Sequence, residues 1–542
     1  GSHGDGGGLG GLIGNSVIGN AGNFKGSLDA FVYSNSNAFS ATAIRADAEQ
    51  ICFSFIQNTD GDWSTASSWS TGVVPSSTDN VLIQAQSTIT TDKTINNLGL
   101  DTGSKITVNS ESTLKVNGKV YNNGNITFKS DDLGTAQFDE FTGTISGSGD
   151  VLVERFVPKS NRAFRYISSP VNTSGTINAN LQEGATTASE DPKPGFGTHI
   201  TGDKNGNDGF DATSTGNPSM FEWNEGTSKW NAIPNTDTKK MSVGDAYALM
   251  IRGDRSTTLN SNTVVGPATT LRFTGTLATG DQPVDATNNL SSTDGNYNLI
   301  ANPYQATVNA KTLLESGDAT DLNTNFIYVY DPTLGSQGGY ATVDISKADP
   351  TSTPEDNTLT GTTNANENIL PNQAFFVETT GTSPSPSLTF KETYKSVSSN
   401  LVDTFSEDDI LSEMHINLKR QPEDVLADGV TASFDAKNKN TVTNADADKF
   451  WNYGGSESVA LFNSDNYLSI EKRATPEAND VLQLYTYNYQ ADAYVWQIDM
   501  SNINREAVLV DTYLDTETPL NADGETNISF NVDSSIEESS DA

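Results

Sequence analysis

The sequence predicts an all-β fold, in which an elongated multidomain chain carries a short β-solenoid-like module followed by tandem β-sandwich-like domains. Three observations support this prediction. Only 34% of the 542 residues are hydrophobic and 18% are charged, and a high content of small polar residues is typical of short strands and turns. Apolar runs are short and punctuated by turn formers. The length also exceeds the roughly 250–300 residues at which single cores stop growing.

Residues 1–57 and 58–152 differ in composition and in the spacing of their apolar residues. The first range is glycine-rich and ends in an apolar alternation over 50–57, which predicts a flexible segment followed by the end of a preceding domain. The second range carries apolar triplets such as ITV (106–108) and ITF (126–128), and such triplets recur roughly every 6–13 residues, as in repeat folds. This spacing predicts the stacked coils of a β-solenoid, with a small β-sandwich as the alternative.

A degenerate internal repeat occupies 153–283 and 284–400. Four signatures occur in the same order in both halves, which predicts two tandem homologous β-domains. The first copy reads RAFRYISSPV, MFEWNEGTSKWNAI, MSVGDAYALMI and LRFTGTL; the second reads GNYNLIANPY, FIYVYDPTLGSQGGYATV, NILPNQAFFVE and LTFKETY. In each copy a strand runs into a proline, which ends ladder pairing because proline lacks an amide donor.

Longer alternating runs fill residues 401–533. They predict one further β-sandwich. Residues 534–542 are mostly Ser, Glu and Asp, which predicts a solvated acidic linker.

The charge balance excludes two classes of partner. The chain has 31 basic and 69 acidic residues, giving a net charge of −38. Nucleic-acid binding and docking on anionic membranes both need basic surfaces, and no apolar run is long enough for membrane insertion. Cys52 is the only cysteine, so disulfides within the chain and multi-cysteine metal sites are excluded.

One acidic loop is a candidate calcium site. The segment GDKNGNDGFDA places Asp203, Asn205, Asn207, Asp208 and Asp211 among glycines, and Ca²⁺ prefers six to eight oxygen ligands of this kind. The spacing departs from the EF-hand, because glycine stands seventh and no Glu is twelfth. The alternative is an exposed turn rich in Asn and Asp. A weaker cluster, Asn444, Asp446 and Asp448, has the same two interpretations.

Paired tryptophans are candidate ligand-binding residues. Exposed faces of Trp223 and Trp230, or of Trp63 and Trp69, could stack on sugar rings. The alternative, favoured by the general burial of large aromatics, is that these side chains pack in the core.

Several of these residues carry a family resemblance. The segment GDWSTASSWSTGVVP, the strand–proline signatures FRYISSPV and YNLIANPY, and the run LPNQAFFVE resemble secreted surface proteins exported by the bacterial type IX secretion system. The resemblance covers about residues 58–533, and the C-terminal sorting signature of that class does not occur in this sequence. It implies an extracellular, cell-surface location and partners in the secretion or gliding-motility machinery of the cell envelope.

No catalytic motif accompanies these features. The three histidines are far apart, no GxSxG elbow occurs, and no carboxylate pair is distinguished from the others. We therefore expect a non-catalytic adhesin or stalk segment. The alternative is a glycan-binding module, or an ancillary region of a secreted polysaccharide-degrading enzyme.

Overall fold

The computed structural model confirms the all-β, multidomain prediction, with 46% strand and 5% helix. It describes residues 51, 53–159, 162–260, 266–285, 290–332, 339–347, 365–397, 412–422, 424–434, 438–443, 446–452, 457–501, 503, 505–533 and 535. The glycine-rich segment to residue 50, Cys52, Asn444 and all of the acidic linker except Ser535 lie outside the described residues. Within the described ranges, no helix is long and apolar enough to cross a membrane.

The region 55–153 is solenoid-like, as the triplet spacing predicts. Its coils stack parallel strands in register, so that Ile89, Val108, Phe128 and Val153 form one column of inward-facing side chains, each at most 1% exposed. The strands are β1 Phe55–Gln57, β2 Gly61–Asp62, β3 Asn80–Ile83, β4 Gln86–Ile89, β5 Lys93–Ile95, β6 Asn97–Leu100, β7 Lys105–Val108, β8 Thr113–Val116, β9 Val120–Asn122, β10 Asn125–Phe128, β11 Ser130–Asp131, β12 Gly134–Thr135, β13 Gln137–Phe138, β14 Ile145–Ser146 and β15 Val151–Val157.

Strand β1 belongs to the solenoid. It pairs in parallel with β3, with Phe55 opposite Val81 and Gln57 opposite Ile83. The expectation that it ends a preceding domain is therefore corrected: its apolar alternation serves the first coil.

The solenoid continues into the first repeat without a break in its sheet. Strand β15 pairs in parallel with β10 and, on its other edge, antiparallel with the repeat strand Thr269–Leu277. A single hydrophobic cluster extends from Trp63 to Leu277. The boundary predicted between residues 152 and 153 falls inside β15, because a strand shared by two modules shows no break in its apolar pattern.

The two repeats contain four-stranded sheets of the same order. The elements of the first are β16 Ala163–Ser168, β17 Val171–Thr173, α1 Ile177–Leu181, β18 Met220–Asn224, β19 Lys229–Ala232, β20 Ala246–Ile251 and β21 Thr269–Leu277. Those of the second are β22 Gln282–Asp285, β23 Tyr297–Ala301, β24 Val308–Asn309, α2 Ala310–Leu314, β25 Ala319–Thr320, β26 Phe326–Asp331, β27 Gly339–Asp344, β28 Asn368–Ile369, β29 Ala374–Glu378 and β30 Ser387–Phe390. The order β16-β20-β18-β19 matches β23-β29-β26-β27.

In each repeat, one short α-helix comes after the strand–proline signature. Thr176 caps α1 by accepting from the amide of Ala179, and Asn309 caps α2 by accepting from Thr312. These side chains satisfy amides that the first helical turn leaves without partners.

The sequence signatures meet where the repeats join. The Ser168 hydroxyl donates to the carbonyls of Asn302 and Gln373, and its amide donates to the carbonyl of Asn372. The fully buried Asn302 donates to three more backbone carbonyls, at 2.9–3.0 Å. The Ser168 bonds therefore cross the interface, and the Asn302 bonds tie the NP segment to the LPNQ segment within the second repeat.

The third β-region is built on one eight-stranded sheet with a separate two-stranded hairpin. Alternate residues of its strands form a hydrophobic cluster that includes Ile416, Val459 and Leu461. The strands are β31 Ser412–Arg420, β32 Val425–Phe434, β33 Ala447–Asp448, β34 Ser458–Asn463, β35 Asn466–Arg473, β36 Gln483–Tyr487, β37 Ala493–Ser501, β38 Val508–Asp511, β39 Thr516–Pro519 and β40 Gly524–Asn531.

This region docks on the second repeat through polar and aromatic contacts. Lys472 forms an ion pair of 2.8 Å with the buried Asp344, and the Asn452 side chain accepts from the amide of Tyr340 at 3.0 Å. The Phe450 ring lies 4.0 Å from the Tyr340 ring, edge to face.

Candidate functional site

A large aromatic cluster lies between the two repeats. The facing sheets contribute Tyr166, Trp223 and Trp230 from the first repeat and Tyr330, Phe376 and other rings from the second. These rings form a network of mostly edge-to-face contacts, with Tyr166 and Tyr330 stacked, at centroid distances of 4.8–6.1 Å. Such contacts stabilise beyond area burial alone. The cluster packs the two repeats together.

The predicted ligand-binding residues Trp223 and Trp230 belong to this cluster. They face each other across β18 and β19, with ring centroids 5.1 Å apart. The Trp223 indole donates to the Tyr297 carbonyl at 2.8 Å, which joins the repeats. Both side chains are half-buried. The hydrogen bond and ring contacts of Trp223 show that it packs the two repeats together.

Trp230 also lines a pocket that opens to solvent. The pocket has a volume of about 20 Å³, little more than one water molecule needs, and five of its six lining residues are aromatic. They are Phe164, Tyr166, Phe221, Trp230, Ala248 and Tyr330. Exposed aromatic rings of this kind suit stacking by a small ring-shaped or apolar group at the pocket mouth.

The predicted calcium loop is organised by its own hydrogen bonds. One oxygen of Asp203 accepts from the amides of Asn205 and Asn207, at 2.7 and 3.1 Å, and from the Asn207 side chain. These bonds, the Asn207 amide first, lower the pKa of Asp203. Asp208 has a left-handed φ of 58° and accepts from Asn235 at 2.9 Å. The loop is thus an ordered turn in which one carboxylate oxygen of Asp203 and one of Asp208 already accept hydrogen bonds.

Asp211 does not face this loop. Its carboxylate lies inside the first repeat, where Arg255 donates two bonds of 2.9 and 2.7 Å and His199 Nδ1 lies 3.2 Å away. Burial acts to raise the pKa of Asp211, but the His199 and Arg255 contacts outweigh it and hold the pKa at about 2. The structure therefore assigns Asp211 to a buried ion pair.

The second acidic cluster is also engaged in local structure. Asp446 accepts from the amides of Thr443 and Lys472, at 2.6 and 2.7 Å. Burial, together with the charge of Asp446, raises the pKa of Asp448. Among the described residues, no group of three or more His, Cys, Asp or Glu side chains is arranged to hold a metal ion. Calcium binding stays a prediction.

Trp63 and Trp69 are core residues, at 0% and 3% exposure. Their rings lie 4.9 Å apart, and the Trp69 indole donates to the Trp63 carbonyl at 2.8 Å. For this pair the interpretation as core residues is confirmed.

A further aromatic group, outside the predicted site residues, lies on the third β-region. Trp451 and Tyr487 are 39% and 51% exposed, and their rings lie 6.3 Å apart. The spacing of Tyr485 and Tyr487 could have indicated part of this group. Residues two apart on a strand share a face, so these two rings lie on the same side of the sheet. Trp451 lies in the loop after β33, so strand periodicity could not have placed it beside them.

Fold and sites together define a multidomain all-β protein whose surface carries grouped aromatic rings. A family model described as "Domain of unknown function (DUF8693)" matches residues 55–190 and 205–526, and the chain belongs to that family. Comparison with curated proteins and with solved structures gives no match.

Proposed function

We propose that this chain is a non-catalytic segment of an extracellular surface protein, an adhesin or stalk that holds contact surfaces at fixed positions. One observation carries the proposal: the solenoid sheet continues through β15 into β21 of the first repeat, over a shared hydrophobic core. A continuous sheet and core resist hinge motion because bending would break ladder bonds and expose apolar surface.

The family match supports the same view. It extends over the solenoid, both repeats and the third β-region in one order, as expected for modules that work as a unit. The resemblance to type IX secretion cargo adds a route to the cell surface, and partners in the secretion or gliding machinery of the envelope.

Cell-surface display is tested on intact source cells. An antibody against this chain should label whole cells, and external protease should remove the label while a periplasmic marker stays intact. Loss of the type IX export machinery should abolish the label. Protection of the chain from external protease in intact cells would contradict the proposal.

A second candidate function is glycan binding at the pocket beside Trp230, favoured by its aromatic lining. Binding to a glycan array should be saturable and should fall in Phe164→Ala, which shortens a pocket wall and leaves Trp230 in place. Unchanged binding in that variant would exclude the pocket.

A further inference from the structure

Five aromatic side chains form a strip on one face of the third β-region. We propose that this strip binds a neutral polysaccharide chain. The inference rests on the proposed role of the chain as a contact segment, and it adds the chemistry of the ligand. The strip consists of Trp451, Phe462, Tyr467, Tyr485 and Tyr487.

Strand register places four of these rings on one face. Phe462 of β34 lies opposite Tyr467 of β35, while Ala460 and Ser458 lie opposite Tyr485 and Tyr487 of β36. Directly opposed residues of antiparallel strands, and residues two apart, point to the same side. The intervening residues, including Val459 and Leu461, form the hydrophobic core on the other side.

The rings contact each other in a continuous series. Tyr467 lies 5.0 Å from Phe462, 4.8 Å from Tyr485 and 5.2 Å from Trp451. The small side chain of Ala460 lies between Tyr467 and Tyr485 and lets their rings meet. Three adjacent strands give the strip a width of about 10 Å.

Exposure separates this strip from the core. Trp451 is 39% exposed and Tyr487 is 51% exposed, and Phe462, Tyr467 and Tyr485 are half-buried. None of the five belongs to the hydrophobic cluster beneath the sheet. The inner rings contact Trp451 and hold it in place, so little side-chain freedom is lost there on binding.

The chemical composition of the strip indicates which class of ligand it binds. Tyrosine and tryptophan faces stack on the apolar faces of sugar rings, and their polar tips bond hydroxyls. Gln483, an exposed amide opposite Phe462, adds a hydrogen-bonding group at the edge. None of the five rings is charged, and the net charge of −38 repels acidic glycans and second copies of the chain. A neutral glycan is the ligand that these properties favour.

Affinity electrophoresis of the purified full chain in gels with a soluble neutral glucan, xylan or mannan tests the inference. At least one neutral polymer should retard the protein. The double variant Trp451→Ala/Tyr487→Ala should bind about tenfold more weakly, from the worth of two stacked rings. The matched control Tyr513→Ala, an exposed ring on the β38–β39 hairpin, should bind as the parent does.

Four outcomes would overturn the inference. The first two are no retardation by any neutral polymer and unchanged retardation of the double variant. The other two are a preference for an acidic polymer and a loss of retardation in Phe164→Ala alone. Near-UV circular dichroism should show that the double variant is folded. Because the assay uses purified protein, its failure is distinct from failure of cell-surface display, which is read on intact cells.

Discussion

The buried ion pair of Asp211 and Arg255 gives the most quantitative prediction. The Arg255 guanidinium is fully buried, and Asp211 is its only carboxylate partner among the ion pairs of the described residues. In Asp211→Asn the Arg255 charge is left uncompensated, which costs about 3–5 kcal/mol. Hydrogen exchange in peptides covering 182–200 should accelerate at least about 150-fold. The exposed Asp237→Asn in the same repeat is the matched control.

The same pair predicts an acid dependence. The pKa of Asp211 is lowered from 3.8 to about 2, so its ionised form contributes about 2 kcal/mol, a contribution present above pH 3.8 and lost as pH falls through 2. The calorimetric difference between the parent and Asp211→Asn should therefore shrink between pH 4 and pH 2. Exchange rates in the variant within about threefold of the parent would refute the ion-pair assignment, since such a change is under 1 kcal/mol.

Three further variants test other parts of the structure. Asn302→Ala removes the buried side-chain donor to the carbonyls of Ala306 and Ile369 in the second repeat and should cost about 1–3 kcal/mol; an unchanged melting temperature in calorimetry would contradict this. Burial, with a smaller contribution from Glu222, raises the pKa of Glu225 from 4.5 to about 7, so its protonated form stabilises the fold below pH 4.5 and this stabilisation is lost as pH rises through 7. Glu225→Gln should raise the melting temperature at pH 8 but not at pH 4, and equal melting temperatures at pH 8 would count against it. If the Asp203 loop binds calcium, isothermal titration should give heats that Asp203→Ala removes; identical heats would eliminate the site.

Local sequence patterns predict much of the fold. Stacked triplets such as Ile106-Thr107-Val108 predict a solenoid because each coil repeats the same two-residue alternation, and the column through Val108 and Phe128 shows that alternation in register. The order of four signatures likewise indicated the two sheets that share a strand order.

Long-range partners could not be predicted from those patterns. Asp211 looked like a loop ligand because its neighbours are Asn, Asp and Gly, but its partner Arg255 lies 44 residues away. Strand β15 looked like a boundary because nothing local shows that its second edge pairs with Thr269–Leu277. The periodicity of apolar residues indicates which face of a strand is apolar. Whether another module or solvent covers that face depends on contacts between residues that are distant in sequence.

We infer that the solenoid and the first repeat form one rigid support, because they share a sheet and a hydrophobic core. Pulsed electron–electron resonance between spin labels at Val73→Cys and Lys229→Cys, both exposed positions, tests it directly once Cys52 is replaced by Ser. We expect a single narrow distance distribution. A broad or multimodal distribution would show that the two modules move independently and do not form a rigid support.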